Sequence, residues 1–299
     1  MIELLNTNSP AIAAELIRAR RRAGSPAMGM VMTLVVVVDE SRVNEAMASA
    51  QEASYEHPAR VLGVVLGSRR GAARVDAQVG IGSGWTGEVA TIRLHGAVVD
   101  HPESVVLPLL LPDSPVVVWW AGPPPAHPGT DPLGRLAQRR ITDAAEGRGS
   151  TALLALCREY AAGSTDLAWT RITPWRALLA TALDQQQEKV RAASVTAEKV
   201  SPSADLLAAW LASRLRVDVA RSVSNGPGIT DVVLETRSGP ISITRKDGRL
   251  ATFSTPGQPD RPVALKRRSV AECLGEELRR LDEDDVYAKT VRKLVRMTK

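Results

Sequence analysis

The sequence predicts two successive domains, an α/β domain over residues 1–165 and an α+β domain over residues 166–299. The first should contain a mostly parallel, helix-covered sheet, because residues 31–38 form a largely β-branched run typical of strands buried on both faces. The second should contain an antiparallel meander followed by C-terminal helices, because short apolar stretches alternate there with hairpin turns. Charge supports this division: residues 1–165 contain 15 Arg, no Lys and 16 acidic residues, whereas residues 166–299 carry a net charge of +6.

The N-terminal domain begins with the pattern of a βαβ unit. A helix over residues 8–22, started by a Ser-Pro pair, precedes the strand at residues 31–38. Residues 39–54 then read as a helix and residues 60–66 as a second buried strand. Because a helix connects the two strands, we expect them to be parallel neighbours.

A glycine-rich stretch follows at residues 82–87 and formally satisfies the G-x-G-x-x-G fingerprint of dinucleotide-binding proteins. That fingerprint needs a helix directly after it, so that free N–H groups meet the pyrophosphate, whereas residues 88–94 alternate like a strand. We therefore interpret residues 74–81 and 88–94 as a hairpin with a glycine-rich loop. A dinucleotide site is the less favoured alternative, and we expect no cofactor.

A strand over residues 116–120 ends abruptly at a Gly-Pro-Pro-Pro segment and carries Trp119 and Trp120 at its carboxyl end. In open α/β sheets, ligands and partners bind at this edge. Side chains alternate along a strand, so at most one of the two tryptophans faces each side of the sheet. The alternative to a binding role is that both cover the sheet against helices.

Three further elements complete the predicted N-terminal domain. Residues 101–111 favour a short apolar helix or covered segment, residues 139–144 favour another strand, and residues 150–160 favour a covering helix. The domain is therefore expected to have three layers and one hairpin.

Residues 165–184 hold two of the six Trp of the chain and a clear helix start. Thr173 can cap the helix while Pro174 takes its first position, where a missing N–H costs nothing. Trp175 opens an apolar stripe with helical spacing. We therefore expect Trp175 to be buried.

Trp169, Arg171 and Arg176 lie in the same stretch and do not follow from packing alone. Arg176 falls in the first turn of the predicted helix, where the helix dipole disfavours a cation unless a carboxylate or another anion answers it. Asp166 is the internal candidate for that carboxylate, and a partner protein is the external one.

The rest of the second domain alternates helix, strands and helices. We expect a helix capped by Ser203, with Trp210 among its core positions. Short strands are predicted at residues 229–236, 240–245, 250–254 and 263–266. One helix is predicted at residues 269–281, and a last helix starts within the acidic block at residues 282–285 and runs toward the C-terminus.

Few residues suggest chemistry. Cys157 and Cys273 lie far apart, no His has metal-ligand spacing, and no catalytic motif occurs, so we expect reduced core cysteines, no metal and no enzyme activity. The apolar runs at residues 31–38 and 105–111 are far shorter than the roughly 20 residues of a membrane span. With no apolar signal region at the N-terminus, we expect a cytoplasmic protein that binds no membrane.

Nucleic-acid binding is considered because the second half is basic and combines helices with a hairpin. Acidic residues at the hairpin tips, the acidic block at residues 282–285 and the scarcity of aromatic stacking residues disfavour it.

Four phrases of the sequence occur in an order and spacing that resembles one protein family. They are SVVLPLLLPDSPVVVWWAGPPP, RRITDA, TDLAWTRITPWRALLATALD and LLAAWLASRL. Together they resemble the OpcA family, the glucose-6-phosphate dehydrogenase assembly proteins of actinobacteria and cyanobacteria, over residues 27–281. The chain lacks the close cysteine pair that redox-regulated members carry, which argues against thiol control.

The resemblance implies a non-catalytic protein that binds glucose-6-phosphate dehydrogenase and promotes its active oligomer or raises its activity. It would thereby support the oxidative pentose phosphate pathway and NADPH supply. The candidate partner-binding residues are Trp119, Trp120, Trp169, Arg171 and Arg176, since Trp and Arg are enriched in interface hot spots. The alternative is an α/β enzyme that binds a sugar phosphate or nucleotide, with Arg171 and Arg176 as its anion site.

Overall fold

The computed structural model describes residues 1–23, 29–81, 87–185 and 188–298. Its regular elements in chain order are β1 (Ile2–Leu4), α1 (Ser9–Ala23), β2 (Met32–Val38), α2 (Val43–Ser54), β3 (Ala59–Leu66), β4 (Arg74–Ile81), β5 (Glu88–His95), α3 (Pro102–Val106), β6 (Val116–Trp120), β7 (Arg139–Thr142), α4 (Ser150–Arg158), β8 (Ser164–Asp166), α5 (Leu167–Arg171), α6 (Thr173–Gln185), β9 (Ala192–Ala197), α7 (Pro202–Leu215), β10 (Val219–Val223), β11 (Ile229–Glu235), β12 (Pro240–Thr244), β13 (Leu250–Ser254), β14 (Arg261–Ala264), α8 (Val270–Arg279) and α9 (Asp285–Met297).

By their internal contacts these elements form two units that exchange chain segments. Unit 1 comprises Met1–Glu146, Ala161–Thr165 and Val270–Glu283; unit 2 comprises Gly147–Tyr160, Asp166–Ser269 and Asp284–Lys299. The chain crosses between the units between residues 165 and 166, among other places, and the exchange gives α4 to unit 2 and α8 to unit 1. The domains 1–165 and 166–299 expected from the sequence stay a prediction.

Unit 1 is built on a mixed sheet in the order β1-β4-β5-β3-β2-β6-β7-β8. Strands β5, β3, β2, β6 and β7 pair in parallel. The predicted parallel pair β2 and β3 and the antiparallel hairpin β4 and β5 are both confirmed. All seven residues of β2 are buried, which explains why its sequence is apolar throughout rather than alternating.

Helices cover both faces of this sheet. On one face, Ile12 and Leu16 of α1 join a core cluster with the alternate strand residues Leu62 and Val64. Gly63, between these two residues in β3, faces the other side of the sheet. A Cβ at Gly63 would lie 2.7 Å from the sulfur of Met47 in α2. Helix α2 therefore packs on the other face, where it also contacts α8.

Glu88 is a buried carboxylate of unit 1 that pairs with two arginines. Glu88, at the start of β5, accepts a hydrogen bond of 2.7 Å from Nε of Arg60 and also pairs with Arg20. Nη1 of Arg60 donates to the carbonyl oxygen of Leu109 at 2.7 Å. Arg20 and Arg60 thus link α1 and β3 to the start of β5. Without these partners, the buried charge of Glu88 would be strongly destabilising.

Unit 2 contains a second sheet in the order β10-β9-β11-β12-β13-β14. The predicted meander β11 to β14 is antiparallel throughout, which confirms that expectation. Strands β9 and β10 were not predicted, and they pair in parallel. Helix α7 contacts β9, β10 and α9, and α9 in turn contacts α4.

The start of α7 differs in one detail from the prediction. Ser201, and not Ser203, caps the helix by accepting a hydrogen bond from the Ala204 amide. The Ser203 hydroxyl instead donates to the carbonyl oxygen of Ala168, at 3.2 Å. Pro202 at the first helical position requires the cap to precede it, which is the signal that identifies Ser201.

Candidate functional site

Trp119 and Trp120 end β6 at the carboxyl edge of the unit 1 sheet and face opposite sides of it. Trp120 belongs to the core cluster that includes residues of α1. Trp119 lines a cavity on the α2 side, together with Arg42, which precedes α2, and Ala46, which lies in it. The alternation expected from strand geometry is therefore confirmed. Both side chains are almost fully buried, at 2% and 4% exposure.

On the Trp120 side, an open cleft of about 400 Å³ lies at the carboxyl ends of β2, β3 and β6. In the sheet, β2 lies between β3, which follows it in the chain, and β6, which comes later. Ligand crevices in such sheets usually lie at the carboxyl ends of strands where the strand order reverses in this way. The backbone at Gly134 lies close to Trp120 and to Pro128 beside this cleft. A Cβ at this position would lie 1.9 Å from the Pro128 carbonyl oxygen and 3.2 Å from the Trp120 ring, so only glycine fits.

The charge of this cleft opposes an anionic ligand. Its described lining includes Asp39, Asp100 and Asp131 but only one cation, Arg69, whose Nε lies 2.7 Å from Asp100. Burial raises the pKa of Asp131, although hydrogen bonds from the backbone amides of Gly134 and Leu133 act in the other direction. The surplus of carboxylates favours neutral or cationic groups over phosphates.

Trp169 and Arg176 come together in unit 2, through a short turn between two helices. Asp166 caps α5 by accepting a hydrogen bond of 2.9 Å from the Ala168 amide. This cap stabilises the first turn of the short helix that carries Trp169. Helix α6 then places the Arg176 guanidinium carbon 3.6 Å from the centre of the Trp169 ring. Nη2 of Arg176 also donates to the Thr173 hydroxyl at 2.9 Å.

Trp169 itself is held on its other sides by the start of α9. Its indole N–H donates to Oδ2 of Asp284 at 2.9 Å, and its ring lies 5.5 Å from that of Tyr287. Trp169 is only 2% exposed, so its ring is core, whereas Arg171 and Arg176 are partly exposed. We call Trp169, Arg176, Asp284 and Tyr287 the Trp169 cluster.

Asp284 is the electrostatic centre of the Trp169 cluster. Its other carboxylate oxygen caps α9 by accepting hydrogen bonds from the amides of Val286 and Tyr287, both at 2.9 Å. Burial by itself would raise the pKa of Asp284. The hydrogen bonds from these amides and from the Trp169 indole, with the charge of Arg176, outweigh burial and lower the pKa below its usual range.

Sequence reasoning missed Asp284 and Tyr287 as neighbours of Trp169. The only sequence signal was the acidic block at residues 282–285, which marks a helix start, and a cap residue is the expected place for a carboxylate with spare acceptors. The proposed pairing of Arg176 with Asp166 stays a prediction.

Trp175 is buried, at 2% exposure, as its place in the apolar stripe predicts. The guanidinium carbon of Arg245 lies 4.9 Å from the centre of its ring. Arg245 donates to the carbonyl oxygens of Leu265 and Ile229 at 2.8 and 3.0 Å, and it ties the unit 2 sheet together. Burial and the neighbouring Arg267 lower the pKa of Arg245.

Other expectations concern cysteines, metals and nucleotides. Cys157 and Cys273 are both buried, and burial with the nearby Asp166 raises the pKa of the Cys157 thiol. Among the described residues, no three His, Cys, Asp or Glu side chains come together as a metal site would require. The glycine-rich fingerprint at residues 82–87 falls largely outside the described residues. No helix in the described parts of the chain combines the length and apolar character needed to cross a membrane.

Solved structures align with this chain at low sequence identity. A mutant of KijD10, a 3-ketoreductase from Actinomadura kijaniata solved with TDP-benzene and NADP, aligns with a TM-score of 0.50 and 9% identity over 89% of this chain and 95% of that chain. An oxidoreductase from Sinorhizobium meliloti aligns with a TM-score of 0.48 and 10% identity over 89% and 96%. The likeness to KijD10 concerns the fold alone. No curated protein matches the sequence.

Two family models match the sequence over adjacent segments. Residues 50–159 match the N-terminal domain of the family described as a glucose-6-phosphate dehydrogenase subunit, and residues 162–291 match the C-terminal domain of the same family. The junction between the matches, at residues 160–161, lies between the end of α4 and the start of β8. Since the two matches together span residues 50–291, the chain belongs to the OpcA family of glucose-6-phosphate dehydrogenase assembly proteins.

Proposed function

We propose that this chain is a non-catalytic assembly factor and allosteric activator of glucose-6-phosphate dehydrogenase. The family match over residues 50–291 carries the proposal. In the cell, such an activator would support the oxidative pentose phosphate pathway and NADPH supply. The dehydrogenase would supply all the chemistry, so no residue of this chain needs to touch substrate.

The mechanism we propose is a linkage between binding and enzyme conformation. A partner that binds the active oligomer more tightly than the inactive form shifts the population toward the active one. A coupling of about 1 to 3 kcal/mol is typical of such effects and corresponds to a shift of about 5- to 150-fold.

Arg171 and Arg176 are the groups we propose to face the dehydrogenase, because both are partly exposed. Trp119, Trp120 and Trp169 are nearly buried in the free chain. We propose that these tryptophans contribute by holding the adjacent surface in shape. For Trp169 this is direct, since its ring supports the Arg176 guanidinium.

The test is to mix the purified protein with glucose-6-phosphate dehydrogenase from the same organism. We expect a larger particle by light scattering, or a higher dehydrogenase rate, and no dehydrogenase activity from the protein alone. If both the scattering and the kinetics of the enzyme stay unchanged at micromolar concentrations, the proposal is wrong.

The alternative function is an α/β enzyme that binds a sugar phosphate or a nucleotide. The position of the cleft beside Trp120 favours it, whereas the carboxylates of that cleft oppose it. Titration of the protein alone with glucose 6-phosphate and with NADP in a calorimeter separates the two functions. Saturable heat from either ligand would favour the enzyme, and the assembly factor predicts none.

A further inference from the structure

A cleft in unit 2 collects positive charge where α7 ends and along the second half of α9. Its volume is about 500 Å³. Its charged lining consists of Arg216, Lys289, Arg292, Lys293, Arg296 and Asp218. We call this the basic cleft. It lies in the half of the chain that holds every Lys and the net charge of +6.

The helix geometry of α9 concentrates the charge on one face. Lys289 lies three and four residues before Arg292 and Lys293, which lie four and three residues before Arg296, so the four side chains share one face. The opposite face carries Tyr287, Ala288, Val291 and Leu294, which are buried. Like charges at these spacings each destabilise a helix by about 0.2 to 0.5 kcal/mol. The helix dipole offsets this repulsion only for cations in the last turn, such as Arg296, so it does not account for the whole row.

Counter-charges within the described residues do not neutralise the basic cleft. None of its five cations forms an ion pair within 4 Å with an acidic side chain of the described ranges. The C-terminal ends of α7 and α9 supply about half a negative charge each. Together with Asp218 they leave a surplus of about three positive charges, from the same dipole values.

The groups that line the basic cleft determine which kind of anionic partner fits it. Arg216, Lys289, Arg292 and Arg296 are exposed and have long flexible side chains. The lining comes from the C-terminal end of α7 and from α9 after its first turn, so it includes no helix N-terminus. A helix N-terminus, whose free backbone amides often help to hold a small phosphate, is not among the lining of this cleft. Several carboxylates spread over a protein surface match such a cleft better.

We propose that the basic cleft docks an acidic surface patch of glucose-6-phosphate dehydrogenase. This inference rests on the proposed function and adds where and how the partner is recognised. Electrostatic complementarity of this kind mainly accelerates association and fixes orientation, and salt weakens it.

The experiment compares two triple variants of the full chain. Lys289→Gln, Arg292→Gln and Arg296→Gln remove three charges from the basic cleft, and glutamine keeps the helix propensity of α9. Lys199→Gln, Arg237→Gln and Lys246→Gln are the matched control, because these residues are exposed, lie in unit 2 and are not part of the cleft lining. Thermal melting of both variants checks that each is folded.

We expect the cleft variant to bind the dehydrogenase about tenfold more weakly than the wild type at about 0.1 M salt, mainly through slower association. The difference should shrink at about 1 M salt, where the Debye length is about 3 Å. The control variant should bind like the wild type.

Each other outcome has its own meaning. If the wild type itself does not bind the dehydrogenase, the proposed function fails. If the wild type binds and both triple variants bind equally well, or are equally weakened, the basic cleft is not the docking site. Tight, cleft-dependent binding of a DNA duplex, with dehydrogenase binding unaffected, would also overturn the inference in favour of nucleic acid.

Discussion

Arg176 and Trp175 are adjacent in sequence but have different environments in the structure. Trp175 is buried beneath Arg245, so Trp175→Ala removes a large core side chain and should lower the free energy of unfolding by about 3 to 5 kcal/mol. Arg176 is partly exposed and stacks on Trp169, so Arg176→Ala should lower it by only about 1 kcal/mol.

The affinity for the dehydrogenase completes this test. If Arg176 faces the partner, Arg176→Ala should weaken the complex by about 2 kcal/mol or more, as expected of a hot-spot residue. Melting curves and binding titrations of the two variants measure both effects. An Arg176→Ala protein that melts early but binds normally would leave Arg176 a purely internal residue.

Asp284 makes the stability of unit 2 depend on pH. Because the folded-state pKa of Asp284 is lowered, its contribution to stability is present above its unfolded pKa of about 3.9 and is lost as the pH falls through the folded pKa. At neutral pH, Asp284→Ala should lower the free energy of unfolding by about 2 kcal/mol, through loss of the cap and of the hydrogen bond to Trp169.

Denaturant unfolding at several pH values tests this. The difference between wild type and Asp284→Ala should decrease below about pH 3.9. Asp285→Ala is the control, since Asp285 is the exposed neighbour of Asp284. A difference that is the same at acid and neutral pH would show that the carboxylate charge is not what stabilises the Trp169 cluster.

At the level of elements, α8 is fixed to unit 1 by a buried ion pair. Nη2 of Arg139 in β7 lies 2.5 Å from Oε2 of Glu277, and both side chains are almost fully buried. Nη1 of Arg139 also donates to the Asp282 carbonyl oxygen at 3.0 Å. The pair therefore joins two elements that are 138 residues apart in sequence.

Breaking this pair should destabilise the protein. Glu277→Gln leaves the Arg139 charge buried without its carboxylate and should lower the free energy of unfolding by about 3 kcal/mol. Glu56→Gln is the matched control, because it breaks the exposed pair between Glu56 and Arg279, also an anchor of α8, and should change stability little. Chemical denaturation measures both, and equal losses in the two variants would contradict the prediction.

The elements that the sequence predicts well are those with local signals. The β-branched run of β2 and the hairpin turns of the meander depend on neighbouring residues, and both are found. Strand β9 was missed because its sequence, AASVTA, has only weak β-branched character. The Trp169 cluster could not be predicted, since Trp169 and Asp284 are 115 residues apart and nothing local couples them.

At the scale of the whole molecule, the chain passes between the two units several times. Unit 1 takes α8 from the C-terminal part of the sequence, and unit 2 takes α4 from the N-terminal part. A break between residues 165 and 166 therefore does not separate the units, although it is where charge and strand pattern change along the sequence. The proposed domains 1–165 and 166–299 can be tested on this basis.

A fragment of residues 1–165 should not fold stably by itself. It lacks α8, so the face of α2 that packs on α8 is exposed, and Arg139 loses Glu277. Loss of one partner of a buried pair alone removes about 3 to 5 kcal/mol, a large part of the roughly 5 to 15 kcal/mol that stabilises a typical protein. Circular dichroism and thermal melting of the fragment measure this.

Co-expression of the fragment with residues 166–299 is the control, because it restores α8 without restoring the covalent link. We expect the two pieces to associate and to recover a cooperative melting transition. A fragment of residues 1–165 that melts cooperatively at the temperature of the full chain would instead establish a continuous N-terminal domain. In that case α8 would be an accessory helix, and the Glu277→Gln variant should also melt near the wild-type temperature.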